Sequence, residues 1–325
     1  MQTSTKDISN RANRLVDLKS CIDFLDKTGN LIRVKSEVDS KYELAGIIYA
    51  SHKSGCGKDM LFEKVKDSAY PVLCGMLLDR EITASVFGVS TNEVSSFMGT
   101  CLDNWRKDKD RFPSRVLEKA SANEVIEKEI DLGNLPIPLH ALKDGGRYFN
   151  SSVMIVRNPL TGVPNISLRR FMVTGKDRMT FLIDPERHLG EYLAVAESRN
   201  ETLPITLNIG MGPAVWFAAA MPKQGDGKVG IASHMIGRPI DFIKANSIDT
   251  YAFADAQFVV EAEILPGVRE DEGPFAEVTG HYATVDKRWV ARVTGISRRK
   301  EPIFQTLLGG PESLVATGFA GEGNL

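Results

Sequence analysis

SSVMIVRNPLTGVPNISLRRFMVTGKDRMTFLI, residues 151–183, is the stretch that decides the fold class. Three short runs rich in apolar residues follow one another in it: SSVMIVRNP, NISLRRFMV and RMTFLI. Asn158, Pro159, Leu160, Thr161 and Gly162 form a turn-rich connection between the first two. Closely spaced short strands with turn signals between them predict a barrel or sandwich rather than a doubly wound sheet. Downstream, LPITLNIG (203–210), FVVEAEIL (258–265), WVARVTGISRR (289–299) and PIFQTLL (302–308) extend the pattern. Two helices are expected to interrupt it, near 187–199 and near 213–221. Upstream, EVIEKEIDL (124–132) is expected to open it.

Residues 1–125 read differently. VDLKSCIDFLDK (16–27) has apolar residues at helical spacing, with Gly29 beyond it as a stop. LIRVKSEV (31–38) alternates like a strand, and YELAGIIYASHK (42–53) is helical again. MLFEKV (60–65) and YPVLCGML (70–77) read as strands. In STNEVSSFMGTCLDNWRK (90–107), Ser90-Thr91 opens a helical run and Glu93 is placed for a capping interaction. This alternation predicts an α/β layer. The fold class expected is therefore α+β: an N-terminal α/β domain over 1–125, then a β-barrel domain over 126–310. Residues 311–325, which end in LVATGFAGEGNL, read as the start of a further region.

Composition narrows the function classes. The 325 residues are 42% hydrophobic and 25% charged, ordinary for a soluble globular chain. Forty basic and 42 acidic residues give a net charge of −2 and are spread along the chain. That pattern offers neither a nucleic-acid stripe nor a polybasic membrane patch. MQTSTKDISNRANR lacks the apolar core of a signal peptide, and no run of about 18 apolar residues exists for a membrane span. Cys21, Cys56, Cys74 and Cys101 are dispersed, which argues against a zinc site or a disulfide framework. A reduced, cytoplasmic protein is expected.

Three clusters carry chemistry. Asn165, Ser167 and Arg169 share one side of an extended strand, with Arg170 on the other, unless a bulge breaks the alternation. The bland alternative is a surface strand with two exposed arginines. Asp184-Pro185-Glu186-Arg187-His188 sets His188 at a helix start, where backbone donors favour an anion. A surface or capping histidine is the alternative there, and His140, His234 and His281 are equally open. The third cluster is DEGPFAEVTGH (271–281), where Gly273-Pro274 bends the chain between Glu272 and Glu277. An arginine between two carboxylates would hold one ionised and leave the other to move protons. A solvated acidic turn is the alternative. No HExxH, GxSxG or P-loop pattern is present, and no GxGxxG followed by a helix stands in a suitable context; SGCGKD (54–59) lacks the P-loop spacing.

The chain resembles the UbiD-type decarboxylases, which use prenylated flavin mononucleotide. The resemblance runs from about residue 130 to 310. It rests on LPIPLH, KDGGRYFNSSVMIVRNPLTGVPN, NISLRR, ERH, GRPIDFIKA and DEGPFAEVTGHY. It implies a split β-barrel flavin domain and reversible, non-oxidative decarboxylation of an aromatic or α,β-unsaturated carboxylic acid. The implied catalytic network is Arg170 between Glu272 and Glu277. Asn165, Ser167, Leu168, Arg169, Arg170, His188, Met221 and Lys228 match cofactor-binding positions. The family's divalent metal (Mn2+ or Mg2+, with K+ nearby) implies Asn165 and His188 as ligands. Its third ligand is a glutamate, where this chain has Lys228. Three arrangements stay open: Asp226 substitutes, the Lys228 ammonium takes the cation's place, or Lys228 faces solvent. The implied partners are a small carboxylic acid, a prenyl-flavin synthase as cofactor supplier, and further copies of the chain in a dimer or larger homo-oligomer. Two other readings are a flavin-binding homologue without decarboxylase activity and a non-catalytic subunit of a larger carboxylase assembly.

Overall fold

The computed structural model describes residues 5–74, 79–221, 227–277 and 280–309. Helices α1 (Thr5–Val16) and α2 (Leu18–Lys27) come first, followed by β1 (Leu31–Val38), α3 (Glu43–Lys53), β2 (Asp59–Val65) and β3 (Val72–Cys74). Helices α4 (Arg80–Phe87) and α5 (Val94–Lys107) complete this part. Asp17 caps α2 by accepting from the Ser20 N–H at 2.9 Å. Glu93 reaches back to the Ser90 N–H at 2.9 Å, as the spacing ahead of α5 predicts.

Next come β4 (Val116–Leu117), β5 (Val125–Ile126), β6 (Tyr148–Phe149), β7 (Val153–Arg157), β8 (Pro164–Leu168), β9 (Phe171–Val173) and β10 (Arg178–Phe181). Helix α6 (His188–Ser198), strand β11 (Leu203–Ile209) and helices α7 (Pro213–Ala220) and α8 (Lys228–Ile236) follow. The chain then runs through β12 (Phe242–Lys244), β13 (Tyr251–Phe253), β14 (Phe258–Glu272), β15 (Phe275–Ala276), β16 (Tyr282–Ala283), β17 (Asp286–Arg298) and β18 (Phe304–Thr306). Of EVIEKEIDL only Val125–Ile126 pairs as strand. The charged residues around it are used elsewhere: Glu127 binds Arg298, and Glu124 accepts from the Lys300 N–H at 2.9 Å.

The main sheet has the order β6-β9-β10-β17-β14-β11-β7-β8, with β5 also on β17. Its curvature follows from one connection. Strands β8 and β9 are six strand spacings apart along that order, roughly 29 Å if the sheet were flat. Yet only Arg169 and Arg170 separate Leu168 from Phe171, and such a link spans at most about 10 Å. The sheet therefore curls until its ends approach, giving a split barrel with Arg169-Arg170 in the seam. The turn expected at 158–162 makes the β7–β8 hairpin, with Val153 opposite Leu168 and Val156 opposite Asn165. Asn158 Oδ1 accepts the Leu160 N–H at 2.9 Å and Gly162 takes φ +73°, a left-handed position that glycine adopts without strain.

Phe171, Phe181, Ile205, Leu207, Val260 and Ala262 fill one apolar core. A smaller sheet, β1-β2-β3-β18, packs against this core through Phe62, Val72 and Phe304. Its last strand comes from PIFQTLL, which lies parallel to β3 and so ties the end of the barrel segment into the N-terminal layer. A second core joins α1, α2, α4 and α5 to α7 and α8. Helix α7 is apolar on all sides and buried from Pro213 to Ala219, as a central helix must be. Helix α8 docks through glycines: a Cβ at Gly227 or Gly230 would come within 2.2 or 2.5 Å of the Trp105 indole. This contact fixes the start of α8, where Lys228 stands.

Candidate functional site

The seam arginines part company. Strand alternation ends at Leu168, and Arg170 turns toward the loop after β14 while Arg169 faces a hollow. Arg170 Nε lies 3.2 Å from Glu272 Oε1, and its Nη1 donates to Glu277 Oε1. Glu272 is the last residue of β14 and opposes Asp286 on β17, so the sheet holds its backbone. Glu277 follows β15 at the tip of the small β15–β16 pairing; its N–H donates to the His281 carbonyl at 2.8 Å. The Glu272 side chain is 2% exposed, that of Glu277 33%. Burial opposes the Arg170 charge, but the two carboxylates more than offset it, and its pKa is raised. This leaves one acid locked and one open to whatever occupies the space beside it.

Supporting residues the sequence reading did not assign surround this group. Tyr148 OH donates to Glu272 Oε1 at 3.1 Å. The Phe275 ring packs tilted against Tyr148, with ring centres 4.4 Å apart, and receives the Arg170 guanidinium 4.9 Å from its centre. Asp144 accepts the Ala276 N–H at 3.1 Å and the Ala141 N–H at 3.0 Å, tying the KDGG segment to the acidic loop. Burial raises the Asp144 pKa. The signal was present in KDGGRYF, since Asp144, Gly145 and Tyr148 all belong to it.

On the other side of the seam is a hollow of about 510 Å³, within the usual range for a small-molecule site. Asn165, Ser167, Leu168, Arg169, His188, Met221 and Lys228 line it; Arg170 does not. Seven of the eight cofactor-binding candidates thus meet in one place, and the eighth is adjacent in sequence. Helices α6 and α8 both begin there, with His188 and Lys228 as first residues. The donor set suits an anion. Arg169 Nε is buried without a hydrogen-bond partner among the described residues, and burial, then the nearby Arg187, lowers the Arg169 pKa. Burial, then Arg169 and Arg187, pulls the Lys228 pKa down to about 8.

Among the described residues a divalent metal finds no such fit: no group of three or more His, Cys, Asp or Glu side chains could hold one. The Asn165 amide donates to Tyr192 OH at 3.4 Å, and His188 Nδ1 lies 3.5 Å from Glu191. Lys228 does not face solvent freely: its Nζ donates to the Ala219 carbonyl at 2.9 Å. Asp226 and residues 311–325 lie outside the described residues. No helix among the described residues is long and apolar enough to cross a membrane.

Residues 115–312 match the family model described as the 3-octaprenyl-4-hydroxybenzoate carboxy-lyase Rift-related domain, and residues 22–101 match that carboxy-lyase's N-terminal domain. The chain belongs to the UbiD family. Among UbiD relatives, an uncharacterised Rhodospirillum rubrum protein from the cooM 5′ region is 42% identical over 98% of this chain and 69% of its own length. An anhydromevalonate phosphate decarboxylase from Methanothermobacter thermautotrophicus is 31% identical over 88% of this chain and 64% of its own. The UbiD-class enzyme HmfF from Pelotomaculum thermopropionicum, solved in complex with FMN, superposes with a TM-score of 0.85 at 35% identity, over 94% of this chain and 67% of that one. An evolved dimeric form of HmfF, solved with prFMN, gives 0.86. The chain spans about two thirds of the length of these UbiD relatives.

Proposed function

We propose that this chain carries the catalytic core of a prenylated-FMN-dependent decarboxylase acting on a small aromatic or α,β-unsaturated carboxylic acid. The observation that supports it best is the Arg170 guanidinium set between buried Glu272 and half-open Glu277, one residue from an anion-suited hollow. Asn165, Ser167, Leu168, Arg169, His188, Met221 and Lys228 would hold the flavin. When bound, the flavin supplies an electron sink for the pair left behind by departing CO2, a task no protein side chain does well.

The rest falls to the chain's own residues. Glu277 delivers a proton to the carbon that has lost CO2, and in the reverse direction removes it. Arg170 keeps the Glu277 carboxylate aimed and draws the substrate carboxylate toward the seam. Glu272 fixes Arg170 by an ion pair whose carboxylate is buried, and Tyr148 fixes Glu272. In the cell this reading calls for a prenyl-flavin synthase as cofactor supplier, a cytoplasmic setting and a homo-oligomer.

The test is CO2 release by protein loaded with prenylated FMN, against a panel of aromatic and acrylic acids. Glu277→Gln is expected to lower turnover by roughly 10²- to 10⁴-fold while flavin stays bound. Wild-type turnover by Glu277→Gln would remove Glu277 from the proton-transfer role. A wild-type protein that binds the flavin yet releases no CO2 from any acid on the panel would favour the flavin-binding homologue instead.

A further inference from the structure

Asp184, Glu186 and Glu191 line the hollow beside α8 together with Lys228 and Arg169, but among the described residues neither cation makes an ion pair. Lys228 Nζ is bonded to the Ala219 carbonyl, and among the described residues no acid lies within ion-pair distance of it. Arg169 likewise has no ion-pair partner among them, and its Nε is buried and unpartnered. The acids at the rim are engaged elsewhere: Asp184 holds Arg187 at 3.0 Å, and Glu191 lies against His188. Glu186 is exposed.

Two half-buried cations without a direct ion pair favour an anion between them. A phosphate monoester near neutral pH carries a charge of about −1.5 to −2, which matches the pair. A divalent ion added to the same space would sit beside an ammonium and a guanidinium, and no group of three or more His, Cys, Asp or Glu side chains among the described residues could hold it. A lysine ammonium is a compact point charge suited to phosphate, and arginine adds directed donors around it.

Resting on the flavin reading above, we propose that Lys228 and Arg169 clamp the flavin phosphate directly and replace the divalent metal. The protein then binds its cofactor without one. The positive charge that a metal would bring to the phosphate comes instead from the first residue of α8, held in place by the glycines packed on Trp105.

Flavin fluorescence quenching tests this without turnover. Wild-type protein, stripped of metal and kept in EDTA, is titrated with FMN and with riboflavin, which lacks the phosphate. FMN is expected to bind in EDTA, tighter than riboflavin by roughly ten- to a hundredfold, and added Mn2+ or Mg2+ is expected to change its Kd by less than about twofold. Lys228→Met should weaken FMN toward the riboflavin value and leave riboflavin where it was. FMN binding that appears only with added metal would overturn the metal-free clamp and leave the flavin reading intact. Equal FMN and riboflavin affinities in EDTA would overturn it too, with no variant needed. Absence of binding to either flavin under all conditions would sink both readings together.

Discussion

Gly145 lies so close to Gly273 that a β-carbon on it would sit 2.0 Å from the Gly273 carbonyl oxygen. Its N–H donates to the Pro274 carbonyl at 2.7 Å. The KDGG segment is thus pressed backbone to backbone against the bend between Glu272 and Glu277, and only glycine permits that approach. Neither segment is regular structure at this point, so their mutual contact sets the path of the acidic loop.

Gly145→Ala should therefore push the bend away. Overpacking of this kind costs roughly 1–3 kcal/mol, read as a lower melting temperature. CO2 release should fall with it, because Glu277 lies just beyond the displaced bend. Gly146→Ala is the comparison: its nearest neighbour is the flexible Met172 side chain, 3.1 Å from an added Cβ, which can give way. Equal losses in the two variants would mean that the docking contact is not what positions the loop.

Tyr148→Phe should destabilise through Glu272. That carboxylate is buried and accepts from both Tyr148 OH and Arg170 Nε. Removing one donor leaves a buried charge short of a partner, about 1–3 kcal/mol by thermal or denaturant unfolding. Burial and then the Glu272 charge raise the Tyr148 pKa, so the phenol stays a donor throughout the working range. Ultraviolet difference titration of the folded protein up to pH ~10 should therefore give the same phenolate signal in the wild type and in Tyr148→Phe. A smaller signal in Tyr148→Phe would contradict this.

The contact of Arg170 with Glu272 and Glu277 was legible only through the family resemblance; the local marks, tandem arginines at the end of a strand and a Gly-Pro bend between two acids, left a solvated acidic turn open. The barrel was legible because closely spaced turns leave no room for crossover helices. Other features were not. The start of helix α8 hides in GKVGIAS, where Gly227 and Gly230 read as loop until the Trp105 indole is seen to fill the space they leave. PIFQTLL reads as one more barrel strand, yet Phe304–Thr306 pairs with β3, more than 200 residues earlier. Pairing over such separations depends on the assembled surfaces, which no local pattern encodes. The seam was unreadable for the same reason, since it appears only once the strand order is known.

Acid should weaken the protein through His140. Its ring Nε2 lies 3.2 Å from the Asn150 amide nitrogen and 3.1 Å from Thr306 Oγ1, which joins the barrel segment to β18. Burial lowers its pKa to about 4 from the ordinary 6.5. Between these values the unfolded chain binds a proton that the folded protein refuses. Stability is therefore full above pH ~6.5, falls as the pH drops toward ~4, and flattens below, by at most about 3 kcal/mol. His140→Gln should lack this part of the acid dependence in denaturant unfolding across pH 4–7. A variant that weakens as steeply as the wild type over that window would assign the loss to other groups.

Arg170→Lys tests whether geometry or charge alone holds the two acids. The guanidinium uses separate nitrogens for Glu272 and Glu277 and lays its plane near the Phe275 ring. An ammonium is a point: it can stay with buried Glu272 but cannot also reach Glu277 and cover the ring. The positive charge survives, so the buried carboxylate keeps a counter-ion and the fold should persist. Glu277 loses its orientation instead, and misplacement of about an ångström is enough to cost roughly a hundredfold in rate. The expected result is a fall of that order in kcat for CO2 release, with FMN affinity moving by less than about threefold, since Arg170 lies outside the hollow. A lysine variant that turns over like the wild type would show that net charge suffices, and the planar fork between the two acids would lose its mechanistic role.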